Sequence, residues 1–220
     1  WTSVDGFNAI LALPNSRVFC VPKNSNTAWI YDGSADTWTS TRTYPGTRTD
    51  NAFWGGVLLS DGRIFCVPYS RTAGAIYNPS TGAWSDTAVH GAGALAFRRG
   101  VLLSDGRIFC VPYAATAARI YNPTTNTWTT TAAHGAGSNN FEGAVLLSNG
   151  KILVANQNTS INPRLYDITA NTWASTTIGA TGGRIPVLLQ NGNVFVPRQY
   201  TISSSRIYNP TSNTVSNVGT

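Results

Sequence analysis

Charged side chains are scarce in this sequence. Asp, Glu, Lys and Arg make up 11% of the 220 residues, well below the roughly 25% of an average soluble domain. Methionine is absent, glutamate occurs once and lysine twice, while Thr, Ser, Asn and Gly are abundant. An uncharged polar surface of this kind is common in extracellular and virion-associated β-proteins. We therefore expect an extracellular or virion-associated location.

Long apolar runs and paired cysteines are also missing. No apolar stretch approaches the roughly 18 residues that indicate a membrane span, so none is expected. The three cysteines, Cys20, Cys66 and Cys110, lie 46 and 44 residues apart without a Cys-x-x-Cys pair. An odd count at wide spacing excludes a disulfide framework and gives no zinc-binding pattern.

The net charge of +6 comes from single, scattered basic residues. A nucleic-acid-binding protein usually concentrates its Lys and Arg in a patch or run, so nucleic acid is not an expected partner. Neither an initiator Met nor a signal peptide is visible before Trp1, which is expected of a processed or partial product.

What the sequence does contain is a repeat. The thirteen residues VLLSDGRIFCVPY occur at Val57–Tyr69 and again, unchanged, at Val101–Tyr113. Two apolar runs flank a turn dipeptide five times, at Asn15-Ser16, Asp61-Gly62, Asp105-Gly106, Asn149-Gly150 and Asn191-Gly192. Apolar runs around Asp-Gly or Asn-Gly predict a β-hairpin with a type I′ turn, which needs positive φ at both central residues.

A third segment of each copy ends in tyrosine followed by Asp or Asn, and tryptophan stands seven residues later in four copies. The tyrosines are Tyr31, Tyr77, Tyr121, Tyr166 and Tyr208, and the later positions hold Trp38, Trp84, Trp128, Trp173 and Val215. Asx-Pro clusters end a strand and start a turn. Each copy therefore predicts four short antiparallel strands in 42 to 46 residues.

This period is that of a β-propeller blade. The sequence predicts an all-β fold, a single five-bladed β-propeller over 1–220 with repeats at about 5–40, 50–86, 94–130, 138–175 and 183–218. The cysteines share one strand position with Val154 and Val196, which predicts small buried side chains. Ring closure stays open, because Trp1-Thr2-Ser3 resembles an outer strand and either belongs to an upstream blade or supplements the fifth outer strand.

The pattern VLLSDGRIFCV followed by IYNPSTGAW resembles the kelch repeat, whose units carry an aliphatic-Asp-Gly-Arg hairpin, then Tyr, then Trp at similar spacing. The resemblance covers essentially the whole chain and implies the same propeller architecture. One departure is Val-Pro in three copies, where a double glycine usually closes the second kelch strand. Kelch-like propellers serve as binding modules, as scaffolds and occasionally as oxidases, so the resemblance leaves function open.

One face of the predicted disc varies between copies. It carries the second–third loops and the blade-to-blade connections, and we call it the loop-rich face. Phenylalanine recurs in the connections as a predicted core anchor, at Phe7, Phe53, Phe97 and Phe141. The residue at the next position changes completely, to Asn8, Trp54, Arg98, Glu142 and Arg184. Binding sites are often formed by variable loops on a fixed scaffold, although sequence drift in exposed loops gives the same pattern.

Motifs for catalysis are absent. There is no Gly-rich phosphate loop and no Gly-x-Ser-x-Gly, and most carboxylates fall in predicted turns. His90 and His134 lie in a duplicated HGAG segment without the sequence context of a metal site. A copper centre of the galactose-oxidase type needs several Tyr and His ligands, which two equivalent histidines match poorly. The sequence predicts no catalytic residue, no metal, no cofactor, and a protein that is not an enzyme.

The favoured interpretation is a non-catalytic, lectin-like recognition module that binds a glycan or another surface ligand on the loop-rich face. Aromatic rings stack on sugar faces, and guanidinium groups bind acidic or hydroxyl-rich groups. The candidate ligand-binding residues are Trp54, Tyr69, Arg71, Arg98, Arg99, Tyr113, Glu142, Arg184 and Arg198. The alternative is a structural component of a virion or cell surface whose propeller docks to other protein chains.

Overall fold

A computed structural model describes residues 6–45, 51–158, 160–179, 185–197 and 204–218. Its regular secondary structure consists of twenty strands in five sheets of four antiparallel strands. Within each sheet the strands pair in chain order. The predicted five-bladed, all-β propeller is confirmed. The described residues include no helix with the length and apolarity needed to cross a membrane.

The blades are numbered one to five in chain order, and each contributes four strands. Blade one contains β1 (Phe7–Leu13), β2 (Arg17–Pro22), β3 (Trp29–Asp32) and β4 (Thr37–Ser40). Blade two contains β5 (Phe53–Leu58), β6 (Ile64–Pro68), β7 (Ala73–Asn78) and β8 (Ala83–Val89). Blade three contains β9 (Phe97–Leu102), β10 (Ile108–Pro112), β11 (Ala117–Asn122) and β12 (Thr127–Ala133). Blade four contains β13 (Phe141–Leu146), β14 (Ile152–Asn156), β15 (Arg164–Asp167) and β16 (Thr172–Ser175). Blade five contains β17 (Val187–Leu188), β18 (Val194–Val196), β19 (Ser205–Asn209) and β20 (Thr214–Val218).

The first hairpin turn of blades two to five differs from the predicted type I′ turn. In blade two only Gly62 has positive φ, at 85°, and its N–H donates to Leu59 O at 3.0 Å. A type I turn followed by a left-handed glycine is the usual three-residue hairpin loop with a bulge. Asp61 instead accepts a hydrogen bond from Arg63 N at 3.0 Å. The prediction of positive φ at both dipeptide residues holds only for Asn15 and Ser16 of blade one.

Aromatic rings join successive blades from blade one to blade four. Phe65 of blade two stacks on Tyr121 of blade three with ring centroids 5.1 Å apart, and Phe109 contacts Tyr166 in the same way at 5.4 Å. The cysteines lie on these second strands, and Cys66 and Cys110 are fully buried. The prediction that they are small buried side chains is confirmed, because the blade-to-blade contact leaves that position no access to solvent.

The fourth-strand tryptophans of blades three and four bind the end of the fourth strand of the preceding blade. Trp128 Nε1 donates to Ala88 O at 2.8 Å, and Trp173 Nε1 donates to Ala132 O at 2.9 Å. Asn126 forms a second hydrogen-bonded link between blades two and three. Its Oδ1 accepts from Ala88 N at 2.8 Å and from Tyr121 OH at 2.9 Å. Adjacent blades are therefore joined by hydrogen bonds at the rim as well as by apolar packing.

The first strands of the end blades are more exposed than those between them. Ile10 in β1 is 68% exposed and Val187 in β17 is 50% exposed, whereas Val57 in β5 is 6% exposed. Gly56 occupies the position of Ile10 in blade two, where a Cβ would lie 2.8 Å from Leu11 Cδ1 of blade one. The position of Ile10 therefore faces the preceding blade. Val187 corresponds to Val57, which faces the following blade, since a Cβ on Gly100 would lie 2.6 Å from Val57 Cγ2.

Candidate functional site

The candidate site begins at the first residues of the inner strands. Phe53, Phe97 and Phe141 are buried as predicted core anchors, and the residue after each leaves the regular ladder. In blades two and four the strand register shifts at Trp54 and at Glu142, and blades one and three have a shift at the equivalent place. A bulge of this kind redirects a side chain. Successive blades therefore bring their variable residues together at the loop-rich face.

An aromatic–arginine cluster forms where blades two and three meet. The Arg98 guanidinium carbon lies 3.7 Å from the ring centroid of Tyr113 and 4.7 Å from that of Trp54. Tyr69 lies beside both rings, with centroid distances of 4.6 Å to Trp54 and 5.8 Å to Tyr113. Cations attract the faces of aromatic rings at these distances. Four of the predicted ligand-binding residues thus form one connected group of contacts.

Blade four supplies the anion of the same cluster. Arg98 Nη1 donates to Glu142 Oε2 and also, at 2.6 Å, to Gln157 Oε1. The side chains of this ion pair are only 11% and 5% exposed. Gln157 is fixed in turn, because its Nε2 donates to Asn139 O at 2.9 Å. We define the aromatic–arginine cluster as Trp54, Tyr69, Arg98, Tyr113, Glu142 and Gln157.

Arg99 lines a separate cavity beside the cluster. The cavity measures about 370 Å³ and is formed by Arg99 together with residues 7–10 of β1. Burial lowers the pKa of Arg99, Glu142 opposes that shift, and the neighbouring Arg98 adds to it. Arg99 Nε is buried without a hydrogen-bond partner among the described residues. Two guanidinium groups and one carboxylate leave this region with a net positive charge.

Arg71 lies in a different group of side chains. Its Nη2 donates to Tyr44 Oη at 2.6 Å and lies 3.8 Å from Asp86 Oδ1. The Tyr44 hydroxyl donates in turn to Asp86, and burial followed by this hydrogen bond raises the pKa of Tyr44. Arg71 therefore belongs to a contact between blades one and two and lies outside the aromatic–arginine cluster.

The nine predicted ligand-binding residues thus have different positions. Trp54, Tyr69, Arg98, Tyr113 and Glu142 come together, Arg99 adjoins them, Arg71 lies apart, and Arg184 and Arg198 fall outside the described residues. Surface display was expected of all, yet Tyr69, Arg98 and Glu142 are buried. They are buried because they satisfy one another's charges and stack together. Trp54, Tyr113 and Arg99 remain half-buried and keep surface at the loop-rich face.

Sequence reasoning missed Gln157 and Tyr44. Gln157 stands in a second–third loop that varies in length, so no repeat position marks it. Tyr44 could have been found, because it occupies the position of His90 in the next connection. Both contact the following blade edge-on, Tyr44 on Phe53 and His90 on Phe97.

The histidines link connections to second–third loops. His90 Nδ1 accepts from Ala92 N at 3.1 Å, so its Nε2 donates to Arg71 O at 2.9 Å. His134 has the same two bonds, with Ala136 N and Ala115 O. Burial lowers the pKa of both rings. In the described part of the chain no group of three or more His, Cys, Asp or Glu side chains is placed to hold a metal ion.

Solved structures with this architecture include enzymes. A catalytically inactive variant of virginiamycin B lyase from Staphylococcus aureus, with quinupristin, is 9% identical over 98% of this chain and 70% of its own, with a TM-score of 0.81. A streptogramin B lyase is 12% identical over 99% of this chain and 70% of its own, also with a TM-score of 0.81. This chain shares their fold. A Bacteroides thetaiotaomicron protein of unknown function is 14% identical over 97% and 60%, with a TM-score of 0.68.

These matches contradict the expectation that the chain is not an enzyme. Some proteins with the same backbone architecture are lyases, so the lack of a recognisable catalytic motif in this sequence does not separate the chain from enzymes. At 9–12% identity the likeness establishes the fold and assigns no residue. No protein-family model matches the sequence, and no curated protein matches it.

Proposed function

We propose that the loop-rich face binds a hydroxyl-rich surface ligand, with glycans as the ligand class. The observation that carries the proposal is the aromatic–arginine cluster together with the adjoining Arg99 cavity. Aromatic rings offer flat apolar surfaces to sugar rings, and guanidinium groups donate hydrogen bonds to hydroxyl or acidic groups. Concave sites with a few converging polar groups are the usual form of a small-ligand site.

The buried ion pair has a supporting role in this proposal. Arg98 and Glu142 hold the rings of Trp54 and Tyr113 in fixed positions, so little side-chain freedom remains to be lost when a ligand binds. Preorganisation of this kind raises affinity by lowering the entropic cost of association. Arg99 then supplies the guanidinium donors, with the net positive charge of the region favouring ligands that carry acidic groups.

A glycan array tests the proposal. We expect saturable binding to at least one glycan class by the 220-residue chain, and a loss of at least tenfold in affinity for Trp54→Ala. Trp38→Ala is the matched control, because Trp38 is 45% exposed on the outer strand of blade one. Arg99→Gln, which leaves the stacked rings intact, should also weaken binding. Absence of binding to every class, or equal binding by both tryptophan variants, would reject the proposal.

Two further measurements separate this function from the others. Because some solved structures with the same fold are lyases, each bound ligand is incubated with the protein and its products are examined by mass spectrometry. Native mass spectrometry tests the structural alternative. A stable oligomer, with the loops around Trp54 protected from hydrogen exchange, would favour docking to protein chains over ligand binding.

A further inference from the structure

A second kind of site lies between blades, away from the aromatic–arginine cluster. The third-blade cleft, about 280 Å³ in volume, lies between the HGAG connection that follows blade two and the third strand of blade three. Gly91 and Ala92 line it on one side, and Arg119 and Thr130 on the other. Arg119 and Thr130 are cross-strand partners. Their donor groups therefore face the same opening.

The fourth-blade cleft repeats this arrangement one blade further on. It measures about 330 Å³ and is lined by Gly135, Ala136, Arg164 and Ser175, among others. Arg164 pairs with Ser175 across the strands as Arg119 pairs with Thr130. A guanidinium group, a hydroxyl group and a glycine-containing connection thus recur at equivalent positions.

Neither guanidinium group is neutralised by a carboxylate of the described residues. Among the described residues, no carboxylate lies within ion-pair distance of Arg119 or Arg164. Arg119 Nε donates to His90 O at 3.1 Å, which fixes the side chain, and Arg119 lines the cleft. Arg164 Nε is buried and has no hydrogen-bond partner in the described structure.

In blade two the position that corresponds to Thr130 and Ser175 holds a carboxylate. Asp86 pairs across the strands with Ala75, so it stands where Thr130 and Ser175 stand in the next two blades. Its carboxylate accepts from Tyr44 and lies 3.8 Å from Arg71 Nη2. The chain's own carboxylate thus occupies a position at which blades three and four present only a hydroxyl group beside an unpaired arginine.

We propose that the third-blade and fourth-blade clefts each bind one hydroxylated carboxylate, such as an acidic sugar residue. The arginine fork binds the carboxylate, which is the anion that its planar donors match best. Thr130 or Ser175 and the backbone of the glycine-containing connection then contact the ligand hydroxyls. This proposal is independent of the aromatic–arginine cluster, since the two regions share no residue.

Isothermal titration calorimetry with glucuronate tests the proposal, with glucose and acetate as comparison ligands. In an Arg99→Gln background, which removes the cation of the proposed glycan site, we expect two glucuronate sites per chain, no detectable glucose binding, and weaker binding of acetate because it lacks hydroxyls. Arg119→Gln should reduce the stoichiometry from two to one, and the Arg119→Gln/Arg164→Gln double variant should abolish binding. Arg63→Gln is the control, since Arg63 pairs with Asp61 in a hairpin turn on the opposite face.

A second variant keeps Arg119 in place. Thr130→Asp supplies a carboxylate at the position of Asp86. This carboxylate should take the place of the ligand's in the third-blade cleft and leave one glucuronate site per chain. Circular dichroism confirms that each variant is folded. Glucose binding as tight as glucuronate binding, no saturable glucuronate binding, or a stoichiometry unchanged in Arg119→Gln and Thr130→Asp would each overturn the proposal.

Discussion

Removal of Glu142 tests whether the aromatic–arginine cluster depends on its buried ion pair. Glu142→Ala leaves the Arg98 guanidinium in a site where its side chain is only 11% exposed. Breaking a buried pair by removing one partner typically costs about 3–5 kcal/mol, because the remaining charge is desolvated without compensation. Glu142→Ala should therefore destabilise the folded protein.

The structure indicates that the loss of unfolding free energy in Glu142→Ala lies at the lower end of that range. Arg98 keeps a hydrogen bond to Gln157 Oε1 at 2.6 Å, and its guanidinium carbon stays 3.7 Å from the Tyr113 ring centroid. Hydrogen bonds and aromatic faces each offset part of the lost attraction. We expect the free energy of unfolding to fall by about 3 kcal/mol. For a domain of this size the melting temperature should fall by roughly 6–12 °C.

Urea unfolding followed by tryptophan fluorescence measures the change. Asp61→Asn is the control, since the Arg63–Asp61 pair has side-chain exposures of 34% and 50% and exposed pairs contribute at most about 1 kcal/mol. Combining Arg98→Met with Glu142→Leu should recover most of the stability by removing both charges. A loss below about 0.5 kcal/mol for Glu142→Ala would refute the reasoning, because the pair would then contribute no more than a surface contact.

Two other predictions concern buried titratable groups. Burial raises the pKa of the Cys66 thiol, and all three cysteines are buried, so a thiol reagent at pH 8 should label none of them in the folded protein and three after denaturation. Burial lowers the pKa of His90 and His134, so the unfolded chain takes up protons first as the pH falls below about 6.5. The contribution of these two histidines to stability should therefore be constant above that pH and decrease below it, and urea midpoints should show a shallower decrease for the His90→Tyr/His134→Tyr variant, which is patterned on Tyr44.

Much of the fold follows from the repeat in the sequence. Equivalent residues one repeat apart meet equivalent packing, which is why the exchange of Cys with Val predicted burial correctly. The turn type could not be predicted from the dipeptide alone, because Asp-Gly is compatible both with a type I′ turn and with a type I turn that ends in a left-handed glycine. The role of Trp128 was also hidden, since its indole N–H binds a backbone carbonyl 40 residues away.

The candidate site was predicted in outline and missed in detail. Comparison of the copies pointed to the residue after each recurring phenylalanine, and the structure brings Trp54, Arg98 and Glu142 together. Their burial was not anticipated, although Arg98 and Glu142 carry opposite charges at the same repeat position in adjacent blades. The expectation of no enzyme activity was wrong because it depended on motifs, and a shared backbone architecture between enzymes and this chain requires no shared motif.

The tryptophan and asparagine hydrogen bonds between blades at the rim indicate where unfolding of this molecule should begin. A blade between two neighbours is held on both sides, so peeling it away breaks two sets of contacts. In repeat architectures, cooperativity depends on such nearest-neighbour coupling. The first and last blades, where Ile10 and Val187 are largely exposed, have the weakest coupling. Fraying should therefore start at the ends of the chain and spread inward, leaving blades two to four as the most persistent unit.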